Sequence, residues 1–272
     1  LLKLGGDERE LSVLFTDVRG FTAISEYYGH NVQGLTNIMN RYMTAMTALI
    51  LETNGTLDKY IGDAQMAFWN APVDEPRHAH QAVKAALTMM SKLEVFNAKI
   101  TAEGIPSFDM GVGINTAVVV VGNMGSDQRF DYTCLGDGVN IASRLEGQSK
   151  NYGVKIVLGQ RTAELVRDEY FVLQLDSIAV KGKAIAIDIY TVLLPLSEVP
   201  DEWKSAAQIH EQMLAYYRNQ NWSNVEHKLL VLKGAFGGAM DAYYSIWAER
   251  VNDLREQKLP SNWDGVFRAK TK

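Results

Sequence analysis

The period of the hydrophobic pattern changes repeatedly along the chain, and each change marks an element. Leu11, Val13, Phe15 and Asp17 alternate with their neighbours, so residues 11–18 are predicted to form a strand with these four on one face. The polar stretch Leu1–Glu10 before it, with Gly5-Gly6, reads as a linker. From Asn31 to Glu52, residues such as Leu35, Ile38, Tyr42, Met46 and Leu49 recur at helical spacing, and Asn54-Gly55 ends that helix. Gly55–Ile61 and Gln65–Trp69 flank Gly62-Asp63, a hairpin signal in the reverse of the favoured Asp-Gly order. A second long helix covers His78–Lys99, with Ala82, Ala86, Met89 and Leu93 on its buried stripe. Strands follow at Phe108–Ile114, Ala117–Gly122 and Asp131–Leu135, then a helix at Val139–Gln148. Further strands are expected at 155–158, 171–178 and 186–193, with a helix near 161–167.

Hairpins exclude a purely parallel, doubly wound sheet. The expected class is α+β: a ferredoxin-like, mixed but largely antiparallel sheet flanked by helices, with those helices on one side. After Leu194-Pro195 the strand signal stops, and three helical stretches (203–219, 222–233 and 240–257) read as a small C-terminal helical appendage. The expected organisation is therefore 1–10 linker, 11–194 catalytic unit and 195–272 helical extension.

With 272 residues and 47% hydrophobic positions the chain can bury a sizeable core. A net charge of -5 lacks the basic footprint of nucleic-acid binding and suits a polyanion only through recruited cations. One cysteine, Cys134, excludes an internal disulfide framework; it is expected to be a buried strand residue. No apolar run approaches the ~18 residues of a membrane span. The chain opens on Leu1, and a piece of a longer protein is expected.

Three stretches carry chemistry. Phe15-Thr16-Asp17-Val18-Arg19-Gly20-Phe21-Thr22 ends a strand on a carboxylate and turns at Gly20 into a helix whose free N–H groups suit phosphate oxygens. Asp63 lies in the hairpin turn, and adjacent strands would bring it to the same sheet edge as Asp17. Two carboxylates plus phosphate oxygens are what Mg²⁺ prefers. Asn140 and Arg144 are one turn apart on a helix, where a guanidinium can stabilise a reacting phosphate; a bland pairing of Arg144 with nearby Glu146 competes with that reading. His78 and His80 form an H-x-H at a helix start, more simply solvated than ligating. Gly5-Gly6-Asp7-Glu8 resembles a diguanylate cyclase signature but precedes the first strand.

Together, residues 15–22, Lys59-Tyr60-Ile61-Gly62-Asp63, Gly136–Glu146 and Val180-Lys181-Gly182-Lys183 resemble the class III adenylate/guanylate cyclase catalytic domain from about Glu8 to Val192. Gly122–Ser126 and Asn262–Gly265 are similar to bacterial members that carry an upstream membrane sensor, which implies a cytoplasmic catalytic region of a membrane-anchored parent. The resemblance implies a head-to-tail homodimer with two shared sites. Asp17 and Asp63, helped by the Val18 carbonyl, would hold two divalent cations, Mg²⁺ or Mn²⁺. Phe21 and Thr22 would lie against the triphosphate. From the partner chain, Lys59 and Thr133 would recognise the purine, Asn140 would orient the ribose and Arg144 would stabilise the transition state. Lys181, ahead of Lys183, would meet the terminal phosphates. Guanylate cyclases resemble this family with Glu and Cys at the two purine positions, so Lys59 favours ATP. Thr133 instead of Asp resembles a bacterial subgroup with bicarbonate-responsive members. A degenerate, nucleotide-binding regulatory domain and a guanylate cyclase are the competing readings.

Overall fold

The computed structural model describes residues 4–179, 186–260 and 262–268. Its centre is one eight-stranded sheet. Strand β1 (Gly5–Arg19) runs into helices α1 (Phe21–Tyr28) and α2 (Val32–Glu52). The hairpin β2 (Thr56–Ile61) and β3 (Ala64–Trp69) leads to α3 (His78–Ala102), then β4 (Asp109–Ser126), β5 (Arg129–Leu135) and α4 (Asp137–Asn151). β6 (Ile156–Gly159), α5 (Gln160–Val166), β7 (Tyr170–Ala179) and β8 (Ala186–Pro195) complete it. The order is β2-β3-β1-β4-β6-β8-β7, with β5 on β4. Only β4–β6 is parallel among these pairs, so the sheet is largely antiparallel, as the hairpins imply.

Three expectations are corrected. Residues 5–10 are not linker: they extend β1 and pair with β4 from Gly5↔Asn123 onward. A polar stretch can be a strand here because β4 reaches far enough to bond its backbone, while Arg9 pairs with Asp74 and Glu10 with Arg161 at the surface. The two strands expected at 108–122 are one. Asn115 and Thr116 looked like a break but are buried mid-strand, where Asn115 donates to the Gly138 carbonyl (2.9 Å) and Thr116 bonds Ser12 and Thr162. Buried polar groups with partners need no turn.

The third correction concerns the helices, which cover both faces. Leu14 and Val18 of β1 face a core with Ile38, Tyr42 and Met46 of α2 and Ala82 and Met89 of α3. The alternate residues Leu11 and Val13 face Val139 and Ala142 of α4. Asp17 shares the parity of Val13, so the strand period points it to the α4 side.

Helices α6 (Asp201–Arg218), α7 (Trp222–Leu232) and α8 (Asp241–Arg255) join α4's layer. Met213, Tyr217, Tyr243 and Trp247 share a core with Leu145 of α4 and with Leu173 and Leu175 of β7. One buried polar link within it is His210, whose Nε2 meets the Gln174 carbonyl (2.6 Å) and whose Nδ1 meets the Tyr244 hydroxyl (2.9 Å). A carbonyl only accepts, so Nε2 carries the proton and Nδ1 accepts from Tyr244.

Burial lowers the His210 pKa to about 4, against 6.5 when exposed. The unfolded chain therefore binds the extra proton first as pH falls. The stability from neutral His210 is complete above about pH 6.5 and is lost progressively down to about pH 4. Urea unfolding at pH 7.5 and pH 4.5 should show a fall that shrinks in His210→Gln; an equal fall in the variant would assign the effect elsewhere. His78, expected to be solvated, is buried and bonded to Ser12 (2.8 Å), which again places its ring against protein rather than water.

Candidate active site

β1 pairs with β3 up to Thr16↔Gln65, so Asp17 comes out beside the turn that joins β2 to β3. In that turn Ile61 faces Ala64, and Gly62-Asp63 is the two-residue loop. Gly62 has φ +64°. Glycine with positive φ in the first central position is the demand of a type II′ hairpin, which explains the Gly-Asp order. The outcome is two half-buried carboxylates at one sheet edge. Burial raises the Asp17 pKa, the negative charge of Asp63 raises it further, and a backbone hydrogen bond at Val18 opposes both. Two like charges brought together at a half-buried edge, with acceptor oxygens only, fit divalent cations well.

Gly20 takes a left-handed conformation (φ 72°) and starts α1 one residue later. Phe21, with Asp63, Gly62, Tyr60, Met39 and Met43, lines a cleft of about 440 Å³, and Thr22 is exposed beside Phe21. Val18 itself is buried, and its backbone is held by Met110 of β4.

α4 presents Asn140 and Arg144 to solvent. Arg144 makes no ion pair among the described residues, which removes the competing pairing with Glu146. The helix lies unusually close to the sheet. A Cβ on Gly113 of β4 would come within 2.1 Å of the Glu146 backbone nitrogen and 2.5 Å of the Ala142 carbonyl, so only glycine permits this seat. Arg19, two residues after Asp17, donates to Ser149 (2.6 Å) and to the Val154 carbonyl (2.8 Å), tying the end of β1 to the end of α4. Glu146 faces the same region: burial, then the Asp17 charge, pushes its carboxyl up to about 7, with Arg19 opposing.

On the other side of the hairpin, Lys59 and Thr133 are brought together. Thr133 of β5 donates to Asp58 (2.5 Å), and Lys59 Nζ lies 3.4 Å from the other Asp58 oxygen. Cys134 points the other way into the core, where burial, with the Asp58 charge adding to it, pushes its thiol up to about 12. It is the buried strand residue expected. Lys181 and Lys183 lie outside the described residues.

Sequence inspection missed Asp58, Arg19, Glu146 and the Gly113 seat. Two signals were available. An acid adjoining Lys59 offers that lysine a counter-charge. Glycines at alternate positions, Gly111 and Gly113, inside an otherwise apolar strand signal close backbone approach.

The fold and these motifs define a nucleotide cyclase domain. Residues 6–194 match the adenylate and guanylate cyclase catalytic domain, and the chain belongs to that family. It is 36% identical over 185 residues to adenylate cyclase 1 of Rhizobium meliloti (strain 1021), covering 68% of this chain and 28% of that protein. The adenylate cyclase of Anabaena cylindrica is 38% identical over 194 residues, which are 68% of this chain and 37% of that protein. The chain thus spans well under half of these relatives' length. The crystal structure of adenylyl cyclase CyaB from P. aeruginosa superposes with a TM-score of 0.65 at 33% identity, covering 72% of this chain and 100% of that one. Guanylyl cyclase Cya2 gives the same TM-score, 0.65, at 32% identity, covering 72% and 97%. No helix among the described residues is long and apolar enough to cross a membrane.

Proposed function

We propose that this domain converts ATP to 3′,5′-cyclic AMP and pyrophosphate at sites shared between two copies of the chain. The observation that carries this reading is the meeting of Asp17 and Asp63 at one sheet edge, where the Asp63 charge adds to burial in raising the Asp17 pKa. Divalent cations held by Asp17, Asp63 and the Val18 carbonyl would supply the Lewis acidity that lowers the pKa of the ribose 3′-hydroxyl and neutralises phosphate charge. The 3′-oxygen attacks the α-phosphorus as the bond to the pyrophosphate oxygen breaks, and no side-chain nucleophile takes part. Asn140 orients the ribose. Arg144, free of any protein carboxylate among the described residues, offers its planar fork of donors to the charge that builds on the phosphoryl oxygens. Phe21 and Thr22 lie where α1 begins, with backbone N–H groups near the triphosphate; Lys181 meets its far end.

A second copy is part of the proposal because Asn140 and Arg144 face away from their own chain. The strands beside them carry apolar side chains into solvent: Val118 is 63% exposed and Leu135 57% exposed, a pattern suited to a protein partner. An upstream sensor in the parent protein, and a bicarbonate response, remain parts of the same proposal.

Adenine is favoured over guanine because Lys59 donates to N1 and Thr133 accepts from the N6 amino group. Assaying the purified chain with ATP and GTP in parallel, in Mn²⁺ and in Mg²⁺, tests it. The expected result is cyclic AMP with stoichiometric pyrophosphate and a clear preference for ATP. Faster cyclisation of GTP, or nucleotide binding with neither product, would overturn it.

A further inference from the structure

Asp58 stands between the two proposed purine-facing residues. In β2, Leu57 faces Ala67 and Lys59 faces Met66, consecutive residues of β3. Asp58 is therefore the extra residue of a β-bulge, with no cross-strand partner. A bulge re-aims side chains that a regular strand would send to opposite faces, and here Asp58 and Lys59 come to the same place. The Asp58 side chain is fully buried, at 0% exposure, whereas Lys59 is 43% exposed.

A buried carboxylate is costly to keep, so what it touches matters. One oxygen, Oδ2, receives the Thr133 hydroxyl at 2.5 Å. The other, Oδ1, lies 3.4 Å from Lys59 Nζ and has no hydrogen bond. A carboxylate can only accept, and a threonine hydroxyl has one proton. That proton is therefore committed to Asp58, and Thr133 Oγ1 is left with lone pairs alone. Lys59, restrained by the same carboxylate, can only donate.

We infer that Asp58 is a positioning residue for base selection: by holding the Thr133 proton it converts an amphoteric hydroxyl into an obligate acceptor. Adenine meets this edge with a donor at N6 and an acceptor at N1. Guanine would set its O6 lone pairs against those of Thr133 and its N1–H against Lys59. A free hydroxyl could turn its proton toward O6; one bonded to Asp58 cannot without leaving a buried carboxylate short of a partner. The inference rests on the ATP reading above.

The test measures kcat/KM for ATP and for GTP in the wild-type chain, Asp58→Asn, Thr133→Val and the double variant. An asparagine can donate to Thr133 as well as accept, so the hydroxyl is released. Asp58→Asn is expected to lower the ATP-to-GTP ratio about three- to tenfold, the worth of one hydrogen bond. Thr133→Val should lower it similarly, and adding Asp58→Asn to Thr133→Val should change it no further, because both remove one interaction. Thr133→Ser, which keeps the hydroxyl, should keep the ratio. An unchanged ratio in Asp58→Asn, or strictly additive losses in the double variant, would overturn the inference. Should Asp58→Asn fail to fold, the serine–valine contrast decides: equal ratios in the two would overturn it. A wild-type chain with no preference for ATP would instead bring down the parent reading, so the two failures are distinguishable.

Discussion

Asp17→Ala is expected to lower cyclic AMP formation by at least about 10²–10³-fold, the usual cost of losing one electrostatic stabiliser of a transition state. The same substitution should leave the metal-free fold as stable as before or slightly more so. Ionised Asp17 is disfavoured by its burial and by Asp63, so removing it relieves a repulsion instead of breaking a bond. Thermal unfolding with and without Mn²⁺ separates the two effects. The wild-type midpoint should rise with Mn²⁺ by mass action, and that of Asp17→Ala should rise far less. Equal metal stabilisation in both would defeat the assignment of Asp17 as a ligand.

The shared-site arrangement makes the prediction sharper. Arg144→Ala alone should also be nearly inactive. Mixing it with Asp17→Ala in equal amounts should restore up to about a quarter of wild-type activity. Random pairing puts about half of the chains in heterodimers, and each heterodimer has one intact site of two. No recovery from a demonstrated heterodimer would show that each site is built within one chain.

The second large effect is on stability. Arg250 of α8 and Asp176 of β7 form a buried pair at 2.5 Å, with side chains 12% and 3% exposed. Tyr152 donates to the same carboxylate oxygen at 2.6 Å, and the guanidinium lies 4.2 Å from the Phe267 ring centre and 4.7 Å from that of Trp247. Arg250→Ala removes the charge, the ring contacts and the packing at once and leaves Asp176 buried without its cation. The expected cost is about 3–5 kcal/mol, a drop of roughly 10 °C in the unfolding midpoint. Because burial already raises the Asp176 pKa, the carboxyl in the variant should take up a proton, so Asp176→Asn on top of Arg250→Ala should recover part of the loss. A midpoint change under a few degrees would mean that the C-terminal helices are not welded to the sheet through this pair.

Much of this architecture was readable before any coordinates. Helices α2 and α3 each bury a stripe long enough for the 3.6-residue period to be unambiguous, and both appear within a few residues of their expected limits. The β2–β3 hairpin followed from two short apolar runs around Gly62-Asp63. Where reading failed, the competing influence was a distant partner. Residues 5–10 look like linker because their side chains are polar, yet a strand needs only a partner's backbone, and β4 supplies it. Asn115-Thr116 looks like a break because two polar residues interrupt an apolar run, yet their bonds go to Gly138, Ser12 and Thr162, far away along the chain.

The candidate site divides the same way. Asp17, Asp63, Asn140 and Arg144 can be named as candidates from sequence because their chemistry is local to short motifs. For Asp58 the sequence offers only its place beside Lys59 as a counter-charge; nothing near it says that the strand bulges there or that Thr133 lies within 2.5 Å.

By itself, then, the amino-acid order determined most of the elements, which residues carry usable charge and which family the chain resembles. These depend on periodicity and residue type, which act over a few neighbours. Only the folded sheet decided that two acids share an edge, that α4 sits flush on Gly113, that helices cover both faces and that a buried aspartate orients a hydroxyl. Those outcomes depend on strand order and register, and register is set by the whole sheet finding one arrangement that buries both of its faces.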